Sequence, residues 1–192
     1  MTASTTEKTQ TSEPLADREG PGEFDINRVG VVGLGHMGHA FAVNLVEDGH
    51  QVVVYDRDPE RTTALRASGA SSAAHLNELA GCDVVLTSLP DDDALAAVAL
   101  GPSGLVGILS PTAAHISTST VSPTLSRSIA EAHARHRQDY IAAPVLGNPD
   151  FARDRKLVVL AAGGVSPIAK RRDRQPPRFR CPHQFAVRFP SP

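Results

Sequence analysis

Cysteine is scarce in this chain: Cys82 and Cys181 are the two among 192 residues. Two isolated cysteines make neither a disulfide framework nor a zinc site, and a reducing cytoplasm is the expected compartment. Cys82 heads an apolar run and reads as a small buried hydrophobe. Net charge is slight, −2 with histidine neutral, so there is no general electrostatic pull toward nucleic acid or a membrane surface. No run approaches the roughly 18 apolar residues needed to span a bilayer. The first 25 residues are rich in Thr, Ser and Glu and lack the basic start and apolar stretch of a secretory signal. Residues 1–26 are expected to form a disordered arm.

What is present is enough apolar material for one domain, 41% of the chain. From Arg28 onward, short apolar runs alternate with helical patterns. Val29, Val31 and Val32 read as a buried strand ending at Gly33. Residues 36–48 follow as a helix, with Met37, Ala40, Phe41 and Leu45 near one face and Gly49 as its stop. Gln51 to Tyr55 is a second strand, and Pro59 opens a helix over 59–68. A short helix over 75–80 precedes a strand from Cys82 to Leu89. Asp91 to Leu100 is helical, with acidic residues at its positive end, and Gly101 to Ser110 is loop and short helix. Strands follow at Ala113 to Ile116 and Tyr140 to Ala143, separated by a helix that Ser122 caps and Pro123 starts. Asn148 to Arg153 makes a helical turn, and Leu157 to Ala162 is the final strand. This alternation predicts an α/β domain over 27–165, a mostly parallel sheet with helices on both faces. Residues 166–192, rich in Arg and Pro without periodicity, are expected to be a disordered tail.

Gly33-Leu34-Gly35-His36-Met37-Gly38 spells G-x-G-x-x-G, with a strand before it, a helix after it and an acidic residue closing the next strand. In that context Gly33 permits the tight turn, Gly35 lets a pyrophosphate approach, and Gly38 allows helix and strand to pack closely. The phosphates would meet free amides at a helix N-terminus. This is the signature of a doubly wound, Rossmann-type dinucleotide domain. Asp56 stands at nearly the expected spacing of about 20 residues and favours NAD through the ribose hydroxyls. Arg57, next to it, favours NADP through a 2′-phosphate. NADP is placed slightly ahead of NAD. His36 and His39 have no third ligand nearby, so no metal is expected; His133 and His136 fit a polar helix face.

The fingerprint, with Ala42-Val43-Asn44-Leu45, Gly49-His50 and Val54-Tyr55-Asp56-Arg57, resembles the β-hydroxyacid dehydrogenase family. The resemblance continues through Leu89-Pro90, Ser119-Thr120-Val121-Ser122-Pro123, Ala143-Pro144-Val145 and the Lys156-Leu157 strand, over roughly 28–164. It implies that Leu89, Pro90 and Thr120 lie along the cofactor. Ser122 falls at the rim of the cleft, where an N-cap explains it equally well. The family's substrate-holding Ser-Gly-Gly is replaced by Leu146-Gly147-Asn148; Gly147 and Asn148 remain substrate candidates, and Asn148 also reads as a turn residue.

The family's catalytic lysine sits on a helix after the dinucleotide domain, and a mostly helical C-terminal domain follows. Neither Lys156 nor Lys170 matches that motif, so no catalytic residue is assigned and general acid catalysis has no carrier. The stretch past about Gly164 is expected to be a frameshifted or truncated end. The resemblance implies hydride transfer between a nicotinamide and a small hydroxy acid, carbonyl or imine, with a possible homodimer. A non-catalytic dinucleotide-binding module is the alternative. A basic tail that binds nucleic acid is a lesser reading, because its aromatic interleaving is poor: Phe179, Phe185 and Phe189.

Overall fold

The computed structural model describes residues 26–163. The expected N-terminal arm, Cys181, Lys170 and the arginine-proline tail lie outside the described residues.

The β-branched runs form the centre of a seven-stranded sheet. In chain order the elements are β1 (Arg28–Val32), α1 (His36–Glu47), β2 (Gln51–Tyr55), α2 (Pro59–Arg66) and β3 (Ser71–Ser72). A 3-10 turn (Leu76–Leu79), β4 (Val84–Thr87), α3 (Asp92–Leu100), α4 (Leu105–Ile108) and β5 (Ala114–Ser117) come next. The described chain closes with α5 (Pro123–Arg135), β6 (Asp139–Ala142), β7 (Val145–Leu146), α6 (Pro149–Arg153), β8 (Val158–Val159) and β9 (Ala162–Gly163). Spatial order is β3-β2-β1-β4-β5-β6-β9, with every pairing parallel until β9 meets β6 antiparallel. This is the expected mostly parallel α/β sheet of Rossmann type. The strand order reverses between β1 and β4, and ligands enter such sheets at the carboxyl ends of the strands on either side of that reversal.

Register divides the valines between two faces. Val53, Gly30, Val85, His115 and Tyr140 stand in one cross-strand row. On that face Val53 and Val85 pack with Leu79, Cys82, Leu105 and Leu109. Val31, Val52 and Val54 point the other way and pack with Ala42, Leu65 and Ala70 of the first two crossovers. Both faces of the central strands are thus buried, which is why they read as near-continuous apolar runs. Burial pushes the Cys82 thiol up to about 11, so it acts as a small hydrophobe.

Three details differ from expectation. The run Leu157 to Ala162 is not one strand. β8 pairs with β7 in a separate small sheet, while β9 pairs with β6 on the edge of the large one. The division lies opposite Pro144, which has no N–H and separates β6 from β7; its carbonyl still accepts from Leu160 N at 2.9 Å. Strands β3 and β7, two residues each, carry too little apolar pattern to announce themselves. His133 is fully buried, not on a polar face: its Nδ1 lies 2.8 Å from Gln138 Oε1 and its Nε2 2.9 Å from His115 Nδ1. His136, in contrast, is exposed at the end of α5.

Candidate functional site

Gly33 leaves β1 with φ +86, in the left-handed region that favours glycine. A Cβ there would strike the Ser88 carbonyl and stand 2.8 Å from Leu89 Cδ2. The corner after β1 and the turn after β4 are therefore in van der Waals contact across the strand reversal. At Gly38 a Cβ would run into the Gly33 carbonyl, and at Gly35 it would enter open space. Two glycines are demanded by packing, while the middle one leaves an approach from solvent.

Gly35 is also the N-cap of α1, and no side chain caps that helix. The amides of its first turn, at His36, Met37 and Gly38, have no partner within the helix. A helix N-terminus of this kind carries partial positive charge and unsatisfied donors. The open position at Gly35 and the uncapped first turn fit a pyrophosphate.

The end of β2 borders this corner. Asp56 accepts from Leu34 N at 2.6 Å and from Asp58 N at 2.9 Å. Arg61 in the first turn of α2 reaches Asp56 at 3.6 Å and Asp58 at 3.5 Å. Arg57 is exposed beside them. Arg61 was not singled out from the sequence. Its signal is its place one helical turn beyond Arg57, just inside the helix that Asp58 caps and Pro59 begins.

Across the reversal, Leu89 N donates to Ser119 Oγ at 2.8 Å, and Thr118 Oγ1 donates to the Thr87 carbonyl at 2.9 Å. The turn carrying Leu89 and Pro90 is thereby fastened to the loop carrying Thr120, whose surface is exposed. Ser119, nearly buried, is a supporting residue that sequence reading missed. Ser122 does cap α5: its Oγ accepts from Leu125 N at 3.2 Å, and its own N–H donates to Asp92 at 2.9 Å. Hydrogen bonds from the Ser122 hydroxyl and amide hold the Asp92 carboxyl below its usual range.

Gly147 and Asn148 stand at the start of α6. Gly147 has φ +142, and Asn148 Oδ1 caps Phe151 N at 2.9 Å. Ala152 and Leu157 of this segment pack against Ala40, with Met37 and Phe41 of α1 alongside, so the segment flanks the fingerprint helix. Lys156 is exposed and pairs with Asp154 at 2.9 Å. Among the described residues no group of three or more His, Cys, Asp or Glu is placed to hold a metal ion, and no helix is long and apolar enough to cross a membrane.

A parallel sheet in this order, with an uncapped helix and a glycine corner at the strand reversal, defines a dinucleotide-binding domain. The chain belongs to the family of the NAD binding domain of 6-phosphogluconate dehydrogenase, which matches residues 28–173, and so to the β-hydroxyacid dehydrogenases. It is an NAD(P)-binding domain. An uncharacterized oxidoreductase of Bacillus subtilis, YfjR, is 41% identical over 138 residues, covering 71% of this chain and 48% of that protein. The Mycobacterium tuberculosis 3-hydroxyisobutyrate dehydrogenase solved with L-serine aligns with TM-score 0.70 at 27% identity, over 77% of this chain and 50% of that one. Psf3 in complex with NADP+ and 2-OPP aligns with TM-score 0.70 at 26% identity, over 76% of this chain and 52% of that one. The chain thus spans about half the length of each of these three relatives.

Proposed function

We propose that residues 27–165 form the cofactor-binding half of an oxidoreductase that moves hydride between a nicotinamide and a small hydroxy acid, carbonyl or imine. When bound, the cofactor supplies the hydride, and the protein supplies position and electrostatics. The amides of His36, Met37 and Gly38 receive the pyrophosphate over Gly35. Leu34 lies beneath it in the corner. Leu89, Pro90 and Thr120 line the nicotinamide side, and Ser122, Gly147 and Asn148 lie on the substrate side. NADP is preferred to NAD, because Arg57 and Arg61 present two guanidinium groups where a 2′-phosphate would sit. The protein works in the cytoplasm on a small-molecule substrate, as a homodimer and without nucleic acid.

The observation that carries this reading is the uncapped first turn of α1, open at Gly35, at the strand reversal. The second reading is a dinucleotide-binding module without turnover. Isothermal titration of the folded chain with NADPH and with NADH tests both. Binding of both, NADPH more tightly, is expected. A folded chain that ignores both at millimolar concentration overturns the first reading. Binding with no turnover on carbonyl, hydroxy-acid or imine substrates selects the second.

A further inference from the structure

A carboxylate at the end of the second strand is ordinarily read as the acceptor for the adenosine ribose hydroxyls. The surroundings of Asp56 assign it other work. Oδ2 accepts from Leu34 N at 2.6 Å, and Oδ1 accepts from Asp58 N at 2.9 Å. The guanidinium of Arg61 stands 3.6 Å from Oδ2, and the Asp56 side chain is only 6% exposed. Leu34 is the residue between Gly33 and Gly35. One residue earlier, Gly33 N donates to the Tyr55 carbonyl at 3.0 Å. Two consecutive amides of the glycine corner are therefore held by two consecutive residues at the end of β2, the second of them through an ionised acceptor. Bonds of that kind are roughly twice as strong as neutral ones.

We propose that Asp56 is a positioning residue that latches the glycine corner to β2 and does not read the ribose, leaving discrimination at the 2′-position to Arg57 and Arg61. The inference rests on the reading that this corner binds a dinucleotide. A ribose diol donating to Asp56 would have to reach the remaining lone pairs of a carboxylate with almost no exposed surface. Displacing it would leave Leu34 N–H without its partner, beside the pyrophosphate seat that the latch shapes. Arg61, held between Asp56 and Asp58, is more than half exposed and can turn toward a phosphate. The two backbone amides still satisfy Asp56 when it does.

The test is Asp56→Asn in the 192-residue chain, with NADPH and NADH as probes. An asparagine offers one acceptor where two backbone amides need one each, so the corner loosens. A latch predicts that both dinucleotides bind more weakly, by about 3- to 10-fold. A ribose reader predicts opposite signs: NADH weakens, while NADPH is unchanged or tightens because a carboxylate facing its 2′-phosphate has gone. Weaker NADH with NADPH unchanged or tighter, or no change in either, would overturn the proposal.

A second measurement needs no variant and no ligand. In the wild-type chain the Leu34 amide proton, held by Asp56 Oδ2, should resist solvent exchange. A Leu34 amide that exchanges freely overturns the latch, even if the asparagine variant fails to fold. If wild-type protein binds neither dinucleotide, the cofactor reading fails, and Leu34 amide exchange still decides the latch.

Discussion

Nδ1 of His115 faces Nε2 of His133 across 2.9 Å in a fully buried site, and the direction of that bond is fixed from a distance. Gln138 uses its side-chain amide nitrogen toward the Val106 and Leu109 carbonyls, at 3.1 and 2.7 Å. Its Oε1 must then accept, so His133 Nδ1 donates. His133 Nε2 is left as acceptor for His115 Nδ1–H, and His115 Nε2 accepts from Thr87 Oγ1 at 3.0 Å. Every ring nitrogen is used, and both rings are neutral.

Acid should therefore weaken the fold. Burial holds the His115 imidazole well below its ordinary value of 6.5, with His133 as a further cause, and burial also lowers His133. The groups facing the pair from the packed elements are Thr87, Gln138 and the Tyr140 ring; exposed His136 adds to the lowering at His133. Below the ordinary value the unfolded chain binds more protons than the folded one, so stability falls as pH falls. The limit is about 1.4 kcal/mol per pH unit for each histidine. Urea unfolding at pH 7.5 and 5.5 measures the difference. Equal stability at the two values would mean that the pair takes up a proton without loss.

Gln138→Ala removes the anchor of the chain. It leaves His133 Nδ1–H and two carbonyls near α4 without partners, at a cost of about 2–4 kcal/mol. The lowering of thermal midpoint should exceed that of an exposed control such as Arg137→Ala. An equal, small effect would show that water replaces the glutamine.

How much of this was legible in the sequence depended on the range of the interaction. The glycine corner was, because Gly33, Gly35 and Gly38 answer to a turn and a helix packed within six consecutive residues. The Ser122 cap was, because cap and helix start are adjacent. His133 was not. On its own helix it falls among Glu131, Arg135 and His136, and it is drawn inside by His115, from a strand of four residues. Arg61 was missed for a related reason: its meaning depends on where the Asp58 cap starts α2, which sets the guanidinium over the end of β2.

The two guanidinium groups there can be separated by substitution. Arg61→Ala should weaken NADPH binding about tenfold, the scale of one charge-assisted contact to phosphate. NADH, lacking the 2′-phosphate, should change less than about twofold on the same scale. Arg57→Ala should behave alike. Fluorescence titration with both dinucleotides reads the ratio directly, and parallel losses for the two would place both arginines outside the 2′-site.

The fingerprint glycines make different demands, and those demands predict different failures. A Cβ at Gly38 meets the Gly33 carbonyl, which is backbone and cannot swing away, so Gly38→Ala must push α1 off β1. A loss of about 2 kcal/mol or more is expected, together with loss of dinucleotide binding. At Gly35 the same methyl group meets nothing within 4 Å, and φ is an ordinary −59. Gly35→Ala should leave the thermal midpoint within about a degree or raise it slightly, since alanine lowers the entropy of the unfolded chain. It should nonetheless weaken NADPH at least tenfold by occupying the path of the pyrophosphate. Calorimetry and titration on the two variants separate packing from access. If Gly35→Ala binds NADPH as wild type does, the phosphates do not pass over Gly35, and the uncapped turn of α1 is not their seat.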